Sequence, residues 1–196
     1  MANWQDIIRI NKKVRKAGIK TYIETGTGAC GSLKDAIVFP FKKIYTIDAF
    51  EPATNDAKEL FGHMPHIKFI CGYSQDILQE ILPLMDEKPI FFWLDAHFPG
   101  NFGFKLGRFY EPNLSRRCPL QAELELIFKA REKYGYPDII ACDDFKIYNP
   151  KRIIGGTGSL KYADIYNVIP KELHSIRVAK GDDILLIYKK GLYDTK

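Results

Sequence analysis

Long apolar runs and regularly spaced cysteines are both missing from this sequence. No apolar stretch is long enough to span a bilayer and no signal peptide is recognisable, so we expect a cytoplasmic protein. The four cysteines lack the spacing of zinc or redox motifs, which excludes those sites and predicts buried free thiols. Internal repeats and low-complexity segments are also missing, which excludes repeat architectures.

The sequence also lacks a large excess of charge of one sign. The chain has 29 Lys and Arg against 24 Asp and Glu, a net charge of +5. This excess permits contact with an anionic partner, but it is too small to indicate nucleic-acid binding by itself. The 196 residues, of which 46% are hydrophobic, are enough for one compact domain over 1–196 with a substantial core.

The most informative stretch is IKTYIETGTGACGSLKDAIVFPFKKIYTIDAFE, near the start of the chain. An apolar run ends in Glu24, glycines follow at Gly26, Gly28 and Gly31, and a second apolar run ends in Asp48. This pattern predicts a strand, a glycine loop, a helix and a second strand. Such a unit is typical of nucleotide binding, in which the acid on the second strand accepts hydrogen bonds from two ribose hydroxyls.

Two ligands fit this glycine loop. The spacing G-x-G-x-x-G is typical of NAD-binding proteins. However, Glu24 would repel a pyrophosphate, whereas it suits a cationic ligand with a free amino group, such as S-adenosylmethionine. We therefore predict that Glu24, Gly26, Gly28 and Asp48 bind S-adenosylmethionine. The alternatives are a solvated strand end for Glu24 and a helix-capping role for Asp48.

Helices and strands alternate along the chain. Apolar runs predict strands at 19–24, 43–48, 66–71, 90–95 and 138–142. Apolar residues at helical spacing predict helices at 3–17, after a capping pair Ser32 and Asp35, at 54–62, from an N-capping Ser74, and from Pro119. The final run, with a turn at Gly181 and Asp182, predicts an antiparallel hairpin. We expect a three-layer α/β fold with a seven-stranded, mostly parallel sheet, in which only strand 184–189 is reversed.

In the order of its elements, the chain resembles the class I S-adenosylmethionine-dependent methyltransferases over roughly its whole length. The segment GYSQDIL after the third strand is similar to the one that catechol O-methyltransferase-like enzymes place against the adenine. The resemblance therefore implies a Rossmann-like methyltransferase fold and adenine contacts from Ser74 and Gln75. It also implies transfer of a methyl group to a hydroxyl of a small acceptor.

Acids after the fourth and fifth strands extend the resemblance to the antibiotic-sugar O-methyltransferases. Asp95, Asp143 and Asp144 stand where these enzymes hold Mg²⁺, so the resemblance implies a Mg²⁺ site, with Asp95 near both cofactor and acceptor. The alternative is that Asp143 and Asp144 are solvated loop acids. Where the catechol-methylating enzymes carry a lysine, this chain has Phe98. His97 is the substitute base, and catalytic, metal-binding and structural roles all stay open for it.

Two long connections, 98–118 and 145–163, are rich in basic, aromatic and glycine residues. They predict a cover over a glycosyl or anionic small-molecule acceptor, and the alternative is a pair of solvated surface loops. Two other functions stay open. One is a nucleic-acid methyltransferase, although LDAHF lacks the Asn/Asp-Pro-Pro-aromatic loop of amino-directed enzymes. The other is a non-catalytic module that binds S-adenosylmethionine. A homo-oligomer is compatible with each of these functions.

Overall fold

A computed structural model describes residues 10, 12–97, 113–148, 162–178 and 184–191. Its strands are β1 (Thr21–Thr25), β2 (Lys43–Asp48), β3 (Ile67–Cys71), β4 (Ile90–Leu94), β5 (Ile139–Cys142), β6 (Leu173–Val178) and β7 (Ile184–Lys189). Its helices are α1 (12–16), α2 (Gly31–Ile37), α3 (Glu51–Phe61), α4 (Ser74–Ile81), α5 (Leu114–Arg117), α6 (Leu120–Arg131) and α7 (Tyr162–Asn167). Short 3₁₀ turns cover Leu82–Leu84, Glu132–Tyr134 and Phe145–Tyr148.

The seven strands form one sheet in the order β3-β2-β1-β4-β5-β7-β6. Strands β1 to β5 are parallel to their neighbours, and β7 runs antiparallel to both β5 and β6. The predicted sheet is therefore confirmed, including the single reversed strand at the end. The turn at Gly181 and Asp182 lies outside the described residues.

The sheet is covered on both faces, which explains why its central strands are buried throughout. Every residue of β1 and β4 is buried. One face packs against α4 and α6, through residues such as Leu78 and Leu124. The other packs against α1, α2 and α3, through residues such as Val14, Leu33 and Ala57. These layers confirm the predicted three-layer architecture.

Two predicted helix caps are wrong, although the helices themselves are present. Helix α2 is preceded by Cys30, in a left-handed conformation with φ of 63°, and it has no side-chain cap. Ser32 instead donates a hydrogen bond to Glu24. Likewise Ser74 is the first helical residue of α4 rather than its N-cap, and its hydroxyl hydrogen-bonds to Glu123. In both cases a buried carboxyl competes for the hydroxyl that the sequence assigned to the backbone.

A buried ion pair fastens the amino ends of β4 and β5 to the end of α6. Arg131 donates from Nε to Asp138 Oδ2 at 2.8 Å and from Nη2 to the carbonyl of Glu87 at 2.7 Å. Asp138 Oδ1 also accepts the amide of Ile90 at 2.7 Å. Both charged side chains are almost fully buried. We call this group the Arg131–Asp138 clamp.

Within the described ranges, no helix combines the length and the apolar character needed to cross a membrane. The cysteines form no disulfide. Cys30, Cys118 and Cys142 are buried, as predicted, whereas Cys71 is exposed at the end of β3.

Candidate active site

The candidate site lies at the carboxyl ends of β1 and β4, which are neighbours in the sheet. From β1 the chain continues to β2 and β3 on one side, and it returns to form β4 on the other. Open α/β sheets bind ligands in the crevice at such a switch point. The two strand ends are joined directly, because the amide of Asp95 donates to the carbonyl of Thr25 at 3.0 Å.

Gly26 and Gly28 serve different purposes in the loop after β1. A Cβ atom on Gly26 would lie 2.5 Å from the carbonyl oxygen of Asp95, so this glycine permits the close approach of β1 to β4. Gly28 has a φ of 49°, and a Cβ atom there would meet no atom of the described residues within 4 Å. The loop therefore faces open space at Gly28, where a ligand can approach the backbone, and it is closed at Gly26.

Glu24 is fully buried at the end of β1, and hydroxyl groups surround its carboxyl. Its Oε2 accepts hydrogen bonds from Tyr22 at 2.9 Å and Ser32 at 2.7 Å, and its Oε1 accepts one from Thr46 at 2.6 Å. Burial raises its pKa to about 7, although these hydrogen bonds act in the opposite direction. Glu24 thus joins β1 to α2 and β2, a role that its position in the sequence did not indicate.

Asp48, at the end of β2, holds the glycine loop in place. Its Oδ2 accepts the amide of Gly28 at 2.9 Å, and its Oδ1 accepts the amide of Phe50 at 2.8 Å. The side chain is only half-buried, and each carboxylate oxygen has a second lone pair. Asp48 can therefore hold the loop and still accept hydrogen bonds from a ligand.

A buried acid that the sequence analysis missed lies beside the predicted adenine contacts. Glu123, in the first turn of α6, is 1% exposed and accepts a hydrogen bond from Ser74. Its Oε1 has no hydrogen-bond partner among the residues that the structure describes. Burial raises its pKa to about 7. Its position between Leu120 and Leu124, on the apolar face of α6, is the signal that could have revealed it.

Gln75 is half-buried, and one end of its side-chain amide is held by a hydrogen bond. Its Nε2 donates to the carbonyl of Ser115 at 2.9 Å, which links the start of α4 to α5. Arg116 strengthens this link through an ion pair with Asp76 at 3.2 Å and a position 4.1 Å from the ring centre of Tyr73. The Oε1 atom of Gln75 is buried and has no partner within the described ranges, so one acceptor stays available.

His97 lies between two acids at the ends of β4 and β5. Its Nε2 is 3.1 Å from Asp144 Oδ2 and 3.5 Å from Asp95 Oδ1. One potential ligand atom from each of these three side chains lies within 4.8 Å of the others. Asp144 reaches this position because it adopts a left-handed conformation, with φ of 47°, directly after β5.

The two acids hold a proton on His97. Burial alone would lower the pKa of His97, but hydrogen bonds and charge from Asp144 and Asp95 raise it to about 10. The hydrogen bond from His97 in turn lowers the pKa of Asp144 to about 2. Burial raises the pKa of Asp95, against the effect of His97. The raised pKa favours the protonated imidazolium form of His97, which cannot accept another proton.

Asp143 is separate from this group. Its Oδ1 accepts the amide of Asp144 at 2.8 Å, within the turn after β5. The structure therefore brings together Asp95, His97 and Asp144, where the sequence grouped Asp95, Asp143 and Asp144. Most of the two predicted acceptor loops, at 98–112 and 149–161, lies outside the described residues.

The arrangement of strands and site can be compared with that of known proteins. No protein-family model matches the chain, and no curated protein sequence matches it. Solved structures do match. A Staphylococcus aureus protein proposed to be a caffeoyl-CoA O-methyltransferase has a TM-score of 0.59 at 14% identity, over 96% of this chain and 85% of its own.

Two further matches were solved with a ligand. TomG from Streptomyces achromogenes, an O-methyltransferase of tomaymycin synthesis in complex with S-adenosylmethionine, has a TM-score of 0.56 at 14% identity, over 95% of this chain and 79% of its own. SMU.1697c from Streptococcus mutans, proposed to be a methyltransferase and in complex with S-adenosylhomocysteine, has a TM-score of 0.59 at 14% identity, over 94% and 97%. The chain has the class I methyltransferase fold.

On this methyltransferase fold, the predicted residues form two groups around the switch point. Glu24, Gly28 and Asp48 surround the glycine loop, and Asp95 and His97 follow β4. Ser74 and Gln75 begin α4, at the end of β3, on the loop side of the sheet. The groups differ in chemistry. The residues around the glycine loop offer hydrogen-bond acceptors for a polar ligand, and Asp95 and His97 offer atoms that can bind a metal ion.

The residues present fit a divalent metal ion. Two ligands bound about 2.1 Å from one ion lie about 3.0 to 3.4 Å apart in octahedral or tetrahedral geometry. The measured separations from His97 Nε2, 3.1 and 3.5 Å, are close to this range. Two carboxylates and one imidazole also form a chemically suitable donor set.

Proposed function

We propose that the protein is a methyltransferase that uses S-adenosylmethionine to methylate a hydroxyl of a small acceptor. The observation that carries the proposal is the composition of the switch-point crevice. A glycine loop and a half-buried Asp48 lie on one side of it, and a charged group of Asp95, His97 and Asp144 lies on the other. Relatives in fold that were solved with S-adenosylmethionine or its product support this assignment.

The cofactor side matches the ligand through unused acceptors. Asp48 would accept hydrogen bonds from the ribose hydroxyls, and the open backbone at Gly28 would lie against the ligand. Gln75 Oε1, which is buried without a partner among the described residues, would accept from the adenine amino group. Glu24 is fully buried and already accepts three hydrogen bonds, so it would attract the amino group of the ligand through its charge. An anionic pyrophosphate fits this acid-lined crevice poorly.

On the acceptor side, the residues supply orientation and charge. S-adenosylmethionine supplies the methyl group, so that the acceptor oxygen forms a bond to carbon while the carbon–sulfur bond breaks and leaves a neutral thioether. Asp95 lies at the strand end nearest the glycine loop, where it can orient the acceptor hydroxyl and take its proton. The raised pKa of Asp95 makes this carboxylate a better proton acceptor than an exposed aspartate.

His97 acts as a positive charge in this scheme and not as the base. Its proton is held by Asp144 and Asp95, so it can hold their carboxylates in place beside the acceptor. With a metal ion bound, His97 would instead be neutral at Nε2, and Asp95, His97 and Asp144 would hold a divalent ion that lowers the pKa of a bound hydroxyl.

Calorimetric titration of the protein with S-adenosylmethionine and with NAD tests the proposal. S-adenosylmethionine should give a saturable heat of binding, and NAD should give none. Asp48→Ala should weaken the binding of S-adenosylmethionine by about 5- to 150-fold, equivalent to 1 to 3 kcal/mol, because it leaves ribose hydroxyls unpaired.

Asp56→Ala is the matched control, because Asp56 is an exposed aspartate on α3. It should leave the affinity unchanged. Equal affinities for the Asp48 variant and the parent would remove Asp48 from the site. Tight binding of NAD would overturn the assignment. Binding of S-adenosylmethionine without turnover across a panel of hydroxyl acceptors would instead favour a non-catalytic module.

A further inference from the structure

The resemblance implied a magnesium site made of Asp95, Asp143 and Asp144, and a metal-binding role stayed open for His97. The structure brings together a different set of potential ligands. His97 Nε2 lies between Asp95 and Asp144, and Asp143 is outside the group because it binds the amide of its neighbour. A nitrogen ligand matters for metal choice. Mg²⁺ prefers oxygen ligands, whereas imidazole suits transition metals such as Mn²⁺, Co²⁺ and Zn²⁺.

A second observation points to a cation at this place. Glu123 is almost completely buried, and its carboxyl interacts electrostatically with both Asp95 and His97. Its Oε1 has no hydrogen-bond partner in bonding geometry among the described residues, although the hydroxyl of Thr25 is near enough to lower its pKa. A buried acid close to two other acids is unfavourable unless positive charge is nearby. The positive charge already present is the proton on His97 and the ammonium of Lys146, whose Nζ lies 3.5 Å from Asp144 Oδ1, and a divalent ion would add to it between Asp95 and Asp144.

We propose that Asp95, His97 and Asp144 bind one divalent transition-metal ion, with Nε2 of His97 as a nitrogen ligand and Asp143 outside the ligand set. Binding releases the proton from Nε2 of His97 to solvent, and Nε2 then donates its lone pair to the ion. Glu123 is not one of these ligands and interacts with Asp95 and His97 only electrostatically. The remaining coordination positions are left for water or for oxygens of the acceptor.

The test is a metal titration of the full-length protein, freed of metal by chelator dialysis, without S-adenosylmethionine. We expect one Co²⁺ per chain, bound at least about tenfold more tightly than Mg²⁺. His97→Gln should weaken Co²⁺ binding by about tenfold or more, and Mg²⁺ binding by less. His63→Gln, at an exposed histidine after α3, is the matched control and should change neither affinity.

The aspartates provide the second comparison. Asp144→Asn should weaken Co²⁺ binding by about tenfold or more, whereas Asp143→Asn should change it by less than about threefold. The amide side chain introduced by Asp143→Asn retains an oxygen that can accept the amide of Asp144, so this substitution preserves the turn. An equal loss in the two variants, or a preference for Mg²⁺ in the parent, would overturn the proposed ligand set.

Electron spin-echo envelope modulation of bound Mn²⁺ tests for a nitrogen ligand directly, without an amino-acid substitution. Coupling to an imidazole ¹⁴N nucleus is expected, and its absence would rule out His97 as a ligand. The titration also separates this proposal from the proposed methyl transfer. Metal binding with a nitrogen ligand, together with failure to bind S-adenosylmethionine, would contradict only the function. Binding of S-adenosylmethionine without binding of a metal ion would contradict only the metal site.

Discussion

At the scale of single residues, two glutamates lie buried on opposite faces of the sheet below the crevice. Glu24 contacts α2 through Ser32, and Glu123 projects from α6 toward Ser74. Burial raises the pKa of each to about 7, from a reference value of 4.5. Each should therefore be neutral in mildly acidic solution and ionised in mildly alkaline solution, which makes the stability of the protein depend on pH.

The sign of this dependence is fixed by the raised pKa. Between about pH 4.5 and pH 7 the folded protein keeps a proton on Glu123 that the unfolded chain has already released. The free energy of unfolding should thus fall as the pH rises through this window. The loss should be complete above pH 7 and on the order of 3 kcal/mol for Glu123 alone.

Glu123→Gln removes the titrating group and should abolish its share of this decline. Relative to the parent, the variant should become more stable as the pH rises from 5 to 8. Urea denaturation at both pH values measures the difference. Glu125→Gln, at an exposed position on the same helix, is the control and should track the parent. The same relative stability of the Glu123 variant at both pH values would contradict the raised pKa.

At the scale of elements, the junction of β1 and β4 depends on one glycine. Gly26→Ala should destabilise the protein by about 3 kcal/mol or more, because its φ is 82° and the new Cβ would collide with the carbonyl of Asp95. Gly28 also has a left-handed backbone, but an added Cβ atom would meet no described atom. Gly28→Ala should therefore lower the free energy of unfolding by only about 1 to 2 kcal/mol. Chemical denaturation of the ligand-free variants gives both values.

The comparison of these two glycines distinguishes crowding from backbone strain. Equal costs would show that the β1 and β4 ends can separate to admit a methyl group. A larger cost at Gly26 would show that the spacing of these strand ends is rigid. The distinction matters for the site, because the backbone of Asp95, a site residue, forms part of this contact.

At the scale of the whole molecule, a ligand that binds across the switch point should stabilise the entire fold. S-adenosylmethionine or S-adenosylhomocysteine at about 100 times its Kd should add about 2.7 kcal/mol to the free energy of unfolding. For a chain of this length the melting temperature should rise by about 5 to 10 °C. Differential scanning calorimetry measures the shift. NAD at the same concentration should produce none, and an equal shift with NAD would contradict the assignment.

The overall architecture was predictable because its signals are local. The runs TYIET and IFFWL are buried at every position, and a strand covered on both faces needs that pattern. The details of the site depend on contacts between distant residues. Glu123 meets Ser74 from another helix, and the hydroxyl of Ser32 turns to Glu24 instead of capping its helix. Neither pairing can be deduced from spacing along the chain.

The proposed metal ligands show the same limit of prediction for two adjacent residues. Asp143 and Asp144 are chemically identical, and the sequence gives no reason to separate them. A left-handed backbone at Asp144 directs one carboxyl toward His97, while the other closes the turn. That backbone conformation depends on how the chain leaves β5, which is decided by packing around the turn and not by the two residues themselves.

The Arg131–Asp138 clamp has a consequence for how this protein can evolve. It holds the amino ends of β4 and β5, whereas Asp95 and Asp144 follow their carboxyl ends. The length of a five-residue strand, about 17 Å, separates the two. Substitutions after the carboxyl ends of β4 and β5 can therefore accumulate at one end of the strands, while the clamp at the other end keeps the strands in register. A lineage with this arrangement can change the chemistry at the carboxyl end without losing the fold.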